Sequence, residues 1–315
     1  IPLIQHISTV ILVNAMLWFV VASVGPVVTM LVVEEADEAD WSTEIGMLNT
    51  YYGYGWAGGL LLGLGWPLIG GRLFDVAMVD RTLFWLLAGT AGLSTATAVW
   101  TLPESTAEEP VTSVREGRRI ARLLINSGLG VRGATFVFPA NRLYWTTRGF
   151  RLSHVRHRLR SPMTVYLVAA ALFFAGFAVF WAPLPHLLTD MGLDSGRIFG
   201  LYLLSSLAGA LLYEWAGRLA TRFDCRRLTA VALFIRGVLF PVVAVSAGLG
   251  AVGLGSMVLG GLLLGIGITW AVIAVVGTTI ATRLAPPGLR GEALGSYVAI
   301  GALAGGLGSI LGGFL

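Results

Sequence analysis

Long apolar runs, separated by short charged punctuation, make up most of this chain. Residues 1–33 carry no formal charge, enough for one membrane-spanning helix predicted over about 10–33. Asn14, Trp18, Ser23 and Thr29 interrupt it, Gly25-Pro26 offers a kink, and an acidic cluster (Glu34, Glu35, Asp37, Glu38, Asp40) closes it. A second span is predicted over about 45–67. In it Gly55, Gly59 and Gly63 fall four apart, a face that admits a close neighbour, while Asn49, Tyr52 and Trp56 share another face. A third span is predicted over about 82–102. After a long polar stretch the fourth covers about 163–188. There Phe173, Phe177 and Trp181 recur every four residues, a stripe that reads as packing, with a ligand wall as the alternative. The fifth, about 197–217, carries Glu214 near its end.

Residues 237–282 are uncharged over forty-six positions, too long for one span. Glycines at 248, 250, 253 and 255 divide the run into a sixth helix, about 228–248, and a seventh, about 254–282. Arg236 lies inside the sixth, where a charge needs a partner. Glu214 is the expected one, in a structural ion pair. The eighth span follows Arg290 and runs to about 313, with Gly301, Gly305, Gly308 and Gly312 as a packing face. The predicted fold is therefore all-α, a polytopic helical membrane protein with eight transmembrane helices. Ile1 opens inside an uncharged run without an initiator methionine, and Leu315 stops inside an apolar one, so the chain is expected to be truncated at both ends.

Charge placement orients these helices. Residues 104–160 hold eleven arginines and four glutamates, a surplus of seven positive charges. Residues 217–227 place Arg218, Arg222, Arg226 and Arg227 between two apolar runs. Arginine-rich connections follow the third, fifth and seventh spans, all on one side by parity, and the positive-inside rule makes that side cytoplasmic. The expected division is 1–103 as an N-terminal helical half, 104–162 as a basic cytoplasmic linker and 163–315 as a C-terminal half. The linker reads equally as a solvated basic segment or, over about 120–143, as a surface-lying amphipathic stretch.

Composition narrows the function classes. Of 315 residues 56% are hydrophobic, only 12% are charged, and all 21 basic residues are arginine. The sequence pI near 9.6 reflects loops at an anionic membrane surface, and no nucleic-acid partner is expected. One cysteine, Cys225, excludes an internal disulfide, and no zinc spacing, nucleophile elbow or phosphate loop is present. Gly53–Gly58 and Gly248–Gly253 spell G-x-G-x-x-G, but neither follows a predicted strand, so neither is a dinucleotide site. An enzyme is not expected, nor a cofactor or metal. Glu44, Gly53, Gly58 and Gly65 reappear at an offset of 248 as Glu292, Gly301, Gly306 and Gly313. Such coincidences suit two parallel membrane halves.

The stretch from Gly217 to Arg227 resembles the inter-helix signature of the major facilitator superfamily, roughly G-x-L-A-D-R-x-G-R-R. Gly217, Leu219, Ala220, Arg222, Arg226 and Arg227 agree with it, whereas Thr221 stands for the usual aspartate and Asp224 for the usual glycine. The run from 290 to 313 resembles the family's eleventh helix, and the eight spans together resemble helices four to eleven of twelve.

The resemblance implies a secondary active transporter of a small organic solute in the cytoplasmic membrane. It would work by alternating access, with proton-coupled efflux as one form. Gly217, Arg218, Arg222, Asp224, Arg226 and Arg227 would form a conformational turn. The first, fourth and seventh spans would line the cavity with Asn14, Trp18, Phe177, Trp181, Thr269 and Trp270, joined by Asn49 and Tyr52. Uncharged amides and aromatics suit a neutral solute. The expected partners are that solute and the lipid bilayer, with anionic lipid at the basic loops, and the chain is expected to be a monomer. The alternative is a non-transporting membrane sensor or scaffold that binds a partner or lipid through the linker.

Overall fold

A computed structural model of the chain describes residues 7–101, 162–246, 254–286 and 289–314. Backbone polar groups find no water in hydrocarbon, so apolar runs of this length close their hydrogen bonds internally as helices. Nine helices occur among the described residues: α1 (Ile7–Glu35), α2 (Trp41–Leu73), α3 (Val76–Thr101), α4 (Pro162–Trp181), α5 (Leu184–Asp190), α6 (Ser195–Arg222), α7 (Cys225–Ser246), α8 (Leu254–Leu284) and α9 (Arg290–Phe314). Six segments among the described residues are long and apolar enough to cross a membrane: Arg81–Trp100, Pro162–Asp190, Ser195–Arg222, Cys225–Ser246, Gly255–Leu284 and Arg290–Phe314. The helical membrane class predicted from hydropathy is the class observed.

Two differences from the expected layout have physical causes. The fourth span is not one rod: α4 ends at Trp181 and the short α5 resumes at Leu184. Pro183 and Pro185 explain the break, because proline lacks a donor and restrains the residue before it. The basic turn is much shorter than its signature. Helix α6 continues to Arg222 and α7 starts at Cys225, so only Phe223 and Asp224 connect them. The Asp224 carboxylate accepts the Arg227 backbone N–H at 3.0 Å and caps α7. That bond holds its carboxyl below the usual carboxylate range.

Residues Ile1–Leu86 and Pro162–Leu315 form one compact unit, and Leu87–Ser161 a second. The described part of the second is the end of α3, with Leu93, Val99 and Trp100 exposed. The basic linker lies outside the described residues.

Within the first unit, helices meet through small residues. A methyl group added at Gly46 would meet the Tyr213 carbonyl at 2.7 Å, and one at Gly53 would meet Ala210 Cβ at 2.7 Å. Gly217 lies against the Ser42 carbonyl and the Thr43 Cα, so α2 and α6 touch backbone to backbone. Ala57 is buried on the same helix. The contact face of α2 therefore runs through Gly46, Gly53 and Ala57. Gly55 and Gly59 have no atom within 4 Å of where a Cβ would sit, and Gly63 makes only ordinary contact with Phe199. Spacing identified a smooth face of α2, but tertiary packing used a different one. The face predicted on the last helix fares better. Gly301 abuts Phe174, Gly308 abuts the Ala175 backbone and Gly312 the Val179 backbone, while Gly305 meets nothing. Of the four repeated positions, Gly53 and Gly301 share a tight contact, whereas Gly58, Gly65, Gly306 and Gly313 all face open space.

One end of this unit gathers several helix ends. Arg290 at the start of α9 sits over the Trp41 ring at the start of α2, its guanidinium carbon 4.4 Å from the centroid. Arg283, near the end of α8, reaches the Cys225 sulfur at 3.8 Å. Ala170, Ala281, Leu294 and Tyr297 pack as one cluster just inside that end. The connection between α6 and α7 therefore shares an end with the turns joining α1 to α2 and α8 to α9, as parity required. At the other end Leu184, Leu188, Leu193, Val243, Leu259 and Leu263 close the core.

Candidate functional site

Two features built from the expected site residues lie inside the first unit. The first is a cavity of about 140 Å³ lined by Gly25, Pro26, Thr29, Asn49, Tyr52, Thr278, Leu294, Tyr297 and Val298. Its walls come from α1, α2, α8 and α9. Three of the polar wall groups have already spent one donor on their own helix. Thr29 Oγ1 donates to the Gly25 carbonyl at 2.9 Å, Thr278 Oγ1 to the Ala274 carbonyl at 2.9 Å, and Asn49 Nδ2 to the Ile45 carbonyl at 2.7 Å. What these three keep is acceptor capacity, plus one amide hydrogen; the Tyr52 and Tyr297 hydroxyls join them in the wall. Asn49 and Tyr52 were expected here; Thr29, Thr278 and Tyr297 were not.

The second feature is a track of aromatic rings. Tyr166 and Tyr297 stack at 5.8 Å, and the Tyr166 hydroxyl donates to the Gly277 carbonyl at 2.7 Å. A methyl group at Gly277 would lie 2.6 Å from the Tyr297 hydroxyl and would have to push that ring aside. Phe174 joins Tyr297 at 5.6 Å to Trp270 at 6.5 Å. Phe177 stacks on Trp270 at 4.9 Å and leans on Trp181 at 5.7 Å, and Trp181 meets Tyr202 at 5.3 Å. The i, i+4 spacing in the sequence placed Phe177 and Trp181 together; Trp270 arrives from α8.

Arg236 occupies the centre of this track. It is 5% exposed, eleven residues into α7. Its guanidinium carbon lies 5.3 Å from the Phe177 centroid, 5.5 Å from Phe240 and 5.2 Å from Trp270. Such cation–π contacts strengthen when desolvated. One nitrogen, Nη2, donates to the Ile266 carbonyl at 3.0 Å. Thr269 Oγ1 donates to the same carbonyl at 2.9 Å, which fixes Thr269 inward but bonds it to its own helix.

The ion pair expected between Glu214 and Arg236 is replaced by two other arrangements. Glu214 pairs with Arg218 at 3.4 Å, one helical turn away at the surface. Arg236 lies deeper, held by rings and a carbonyl. Asn14 and Trp18 belong to α1, but their side chains lie outside the described residues.

The helices, the small-residue contacts and the pocket between α1, α2, α8 and α9 converge with a comparison of sequence. The profile of the Major Facilitator Superfamily matches residues 1–309. The chain belongs to the Major Facilitator Superfamily. Neither a curated protein nor a solved structure matched it. Membership makes it a multi-pass membrane transporter that sits in lipid and handles small-molecule solutes. In this superfamily member the residues that sequence reasoning missed are Arg236 as the centre of the aromatic track and Tyr166, Phe174 and Tyr297 as its continuation. The forty-six uncharged positions immediately after Arg236 were the available signal. They leave that arginine at the brink of the longest apolar run, deeper than any helix-end charge.

Proposed function

We propose that the protein is a secondary active transporter of a small organic solute in the cytoplasmic membrane, working by alternating access between an N-terminal half (1–103) and a C-terminal half (163–315). The observation that carries this reading is the cavity whose walls come from both segments, Gly25 to Tyr52 on one side and Thr278 to Val298 on the other. A pocket at the seam of two halves is where a solute is exposed to one side and then the other. The α2–α6 contact supports it, because it joins the same two segments through glycines that let the helices approach closely. In this reading the end bearing Arg218, Arg222, Arg226 and Arg227 faces the cytoplasm, where anionic lipid meets it. The acidic side chains described sit at or near helix ends, Glu214 included, so the proton-coupled efflux form draws its coupling carboxylate from outside the described spans.

The test is flux. Full-length protein reconstituted in vesicles is loaded with a panel of labelled organic solutes under imposed proton and sodium gradients. Movement of at least one solute, lost on Asn49→Leu while the protein still inserts, is the expected result. Binding of a solute without flux under any gradient overturns the reading in favour of a sensor.

A further inference from the structure

Arg236 and Trp181 share an unusual condition: each buries a hydrogen-bond donor that has no partner among the described residues. They are Nε of Arg236 and Nε1 of Trp181. Buried N–H groups in native structures are almost always paired, and an unpaired one needs an explanation. Both side chains neighbour the Phe177 ring, whose centroid lies 5.3 Å from the guanidinium carbon and 5.7 Å from that of the Trp181 ring. A second path joins them, because Phe180 packs on Trp181 at 5.7 Å and on Phe240 at 4.0 Å, and Phe240 lies 5.5 Å from the guanidinium carbon. The surroundings of Arg236 include π faces, the side chain of Tyr213, and one carbonyl already shared by Arg236 and Thr269. No ion pair to Arg236 forms among the described residues; Glu214, Asp190 and Asp194 are each engaged with other partners.

A full positive charge with two orphaned donors and no anion is half of a binding site. Ionisable residues inside membrane spans are rare and mark substrate or ion pathways. Phe177, Trp181 and Trp270 are only half-buried, so the rings that screen the guanidinium retain free edges. We propose that Arg236 Nε–H and Trp181 Nε1–H bind the carboxylate of a small aromatic or apolar organic anion, whose body stacks among Phe177, Trp181 and Trp270. A carboxylate carries an acceptor oxygen for each of these donors and the counter-charge that Arg236 lacks. The proposal deepens the transport reading and rests on it for the identity of the ligand as cargo. It replaces the neutral solute expected from the sequence with an anion, because the uncharged aromatics turn out to surround a cation.

The probe is sodium benzoate, compared with benzamide and with sodium chloride at equal concentration, in thermal-shift titrations of the full-length protein in detergent. Benzoate is expected to raise the melting temperature saturably, while benzamide and chloride leave it unchanged. Trp181→Phe keeps the ring and removes the donor, and is expected to weaken benzoate at least tenfold. Arg236→Lys keeps the charge and removes the fork, and is expected to abolish the shift. Equal effects of benzoate and benzamide, no effect of benzoate, or an undiminished benzoate affinity in Trp181→Phe would each overturn the proposal. Trp181→Phe decides the matter alone if Arg236→Lys fails to fold. Flux of neutral solutes without benzoate binding removes this inference and leaves the transport reading; benzoate binding without flux of any solute does the reverse.

Discussion

Arg290 and Trp41, 249 positions apart in the chain, meet face to face, the guanidinium carbon 4.4 Å above the indole centroid. The contact ties the start of α9 to the start of α2. It is the only cation–π pair in the described chain that joins the N-terminal helices to the C-terminal ones, since those of Arg236 lie within α4, α7 and α8. A double-mutant cycle with Trp41→Leu and Arg290→Gln should therefore show coupling of about 1–2 kcal/mol in thermal unfolding, the range for a partly desolvated pair. Additive single effects would show that the two merely lie near each other.

Gly217→Ala should be among the most damaging conservative substitutions. The added methyl meets the Ser42 carbonyl and the Thr43 Cα, both backbone atoms that cannot rotate away. Overpacking of this kind costs about 1–3 kcal/mol, and the upper end is expected here. Gly55→Ala is the control, because nothing lies within 4 Å of its added methyl, and its stability should stay within about 0.5 kcal/mol of the parent. Melting temperatures in detergent discriminate the two. Equal losses would mean that α2 and α6 are not in contact in the folded protein.

Asp224 should confer a pH-dependent contribution to stability. Its carboxyl titrates below the usual carboxylate range because the Arg227 backbone N–H bonds the charged form. A lowered folded value means that stability is fully present above the unfolded value, near 3.9, and is lost as pH falls through the folded one. The stability gap between the parent and Asp224→Ala should be constant near neutral pH and close progressively below about pH 4. Asp224→Asn, which keeps a capping oxygen, should lose less. A gap that widens on acidification would contradict the assignment.

Thr278→Val tests the cavity without changing its shape. The hydroxyl lost is a wall group with spare acceptor capacity. If a polar solute occupies the cavity, the KM for flux should rise about fivefold with little change in kcat, matching about 1 kcal/mol for one hydrogen bond. An unchanged KM would place the solute elsewhere.

Hydropathy carried most of the architecture because membrane burial is a one-dimensional property: a run is either apolar for twenty residues or it is not. Side-chain partners are not one-dimensional. Sequence position pairs Glu214 with Arg236, whereas Arg236 lies eleven residues into α7 and Glu214 finds Arg218 on its own helix. Phe177 and Trp181 were legible from a spacing of four within one helix. Their contact with Trp270 and Arg236 depends on how α4, α7 and α8 rotate against each other, which no local pattern encodes. Likewise the glycines at 55, 59 and 63 mark a smooth stripe, but which stripe meets a neighbour was decided by Ala210, Tyr213 and Gly217 on the opposing helix.

Two rods that rest backbone on backbone have no cushion between them. With Gly46, Gly53 and Gly217 at the junction, the Tyr213 ring against Gly53 is among the few side chains that could repack as α2 and α6 separate. In the transport reading proposed above, the seam would then have two settings, seated or released.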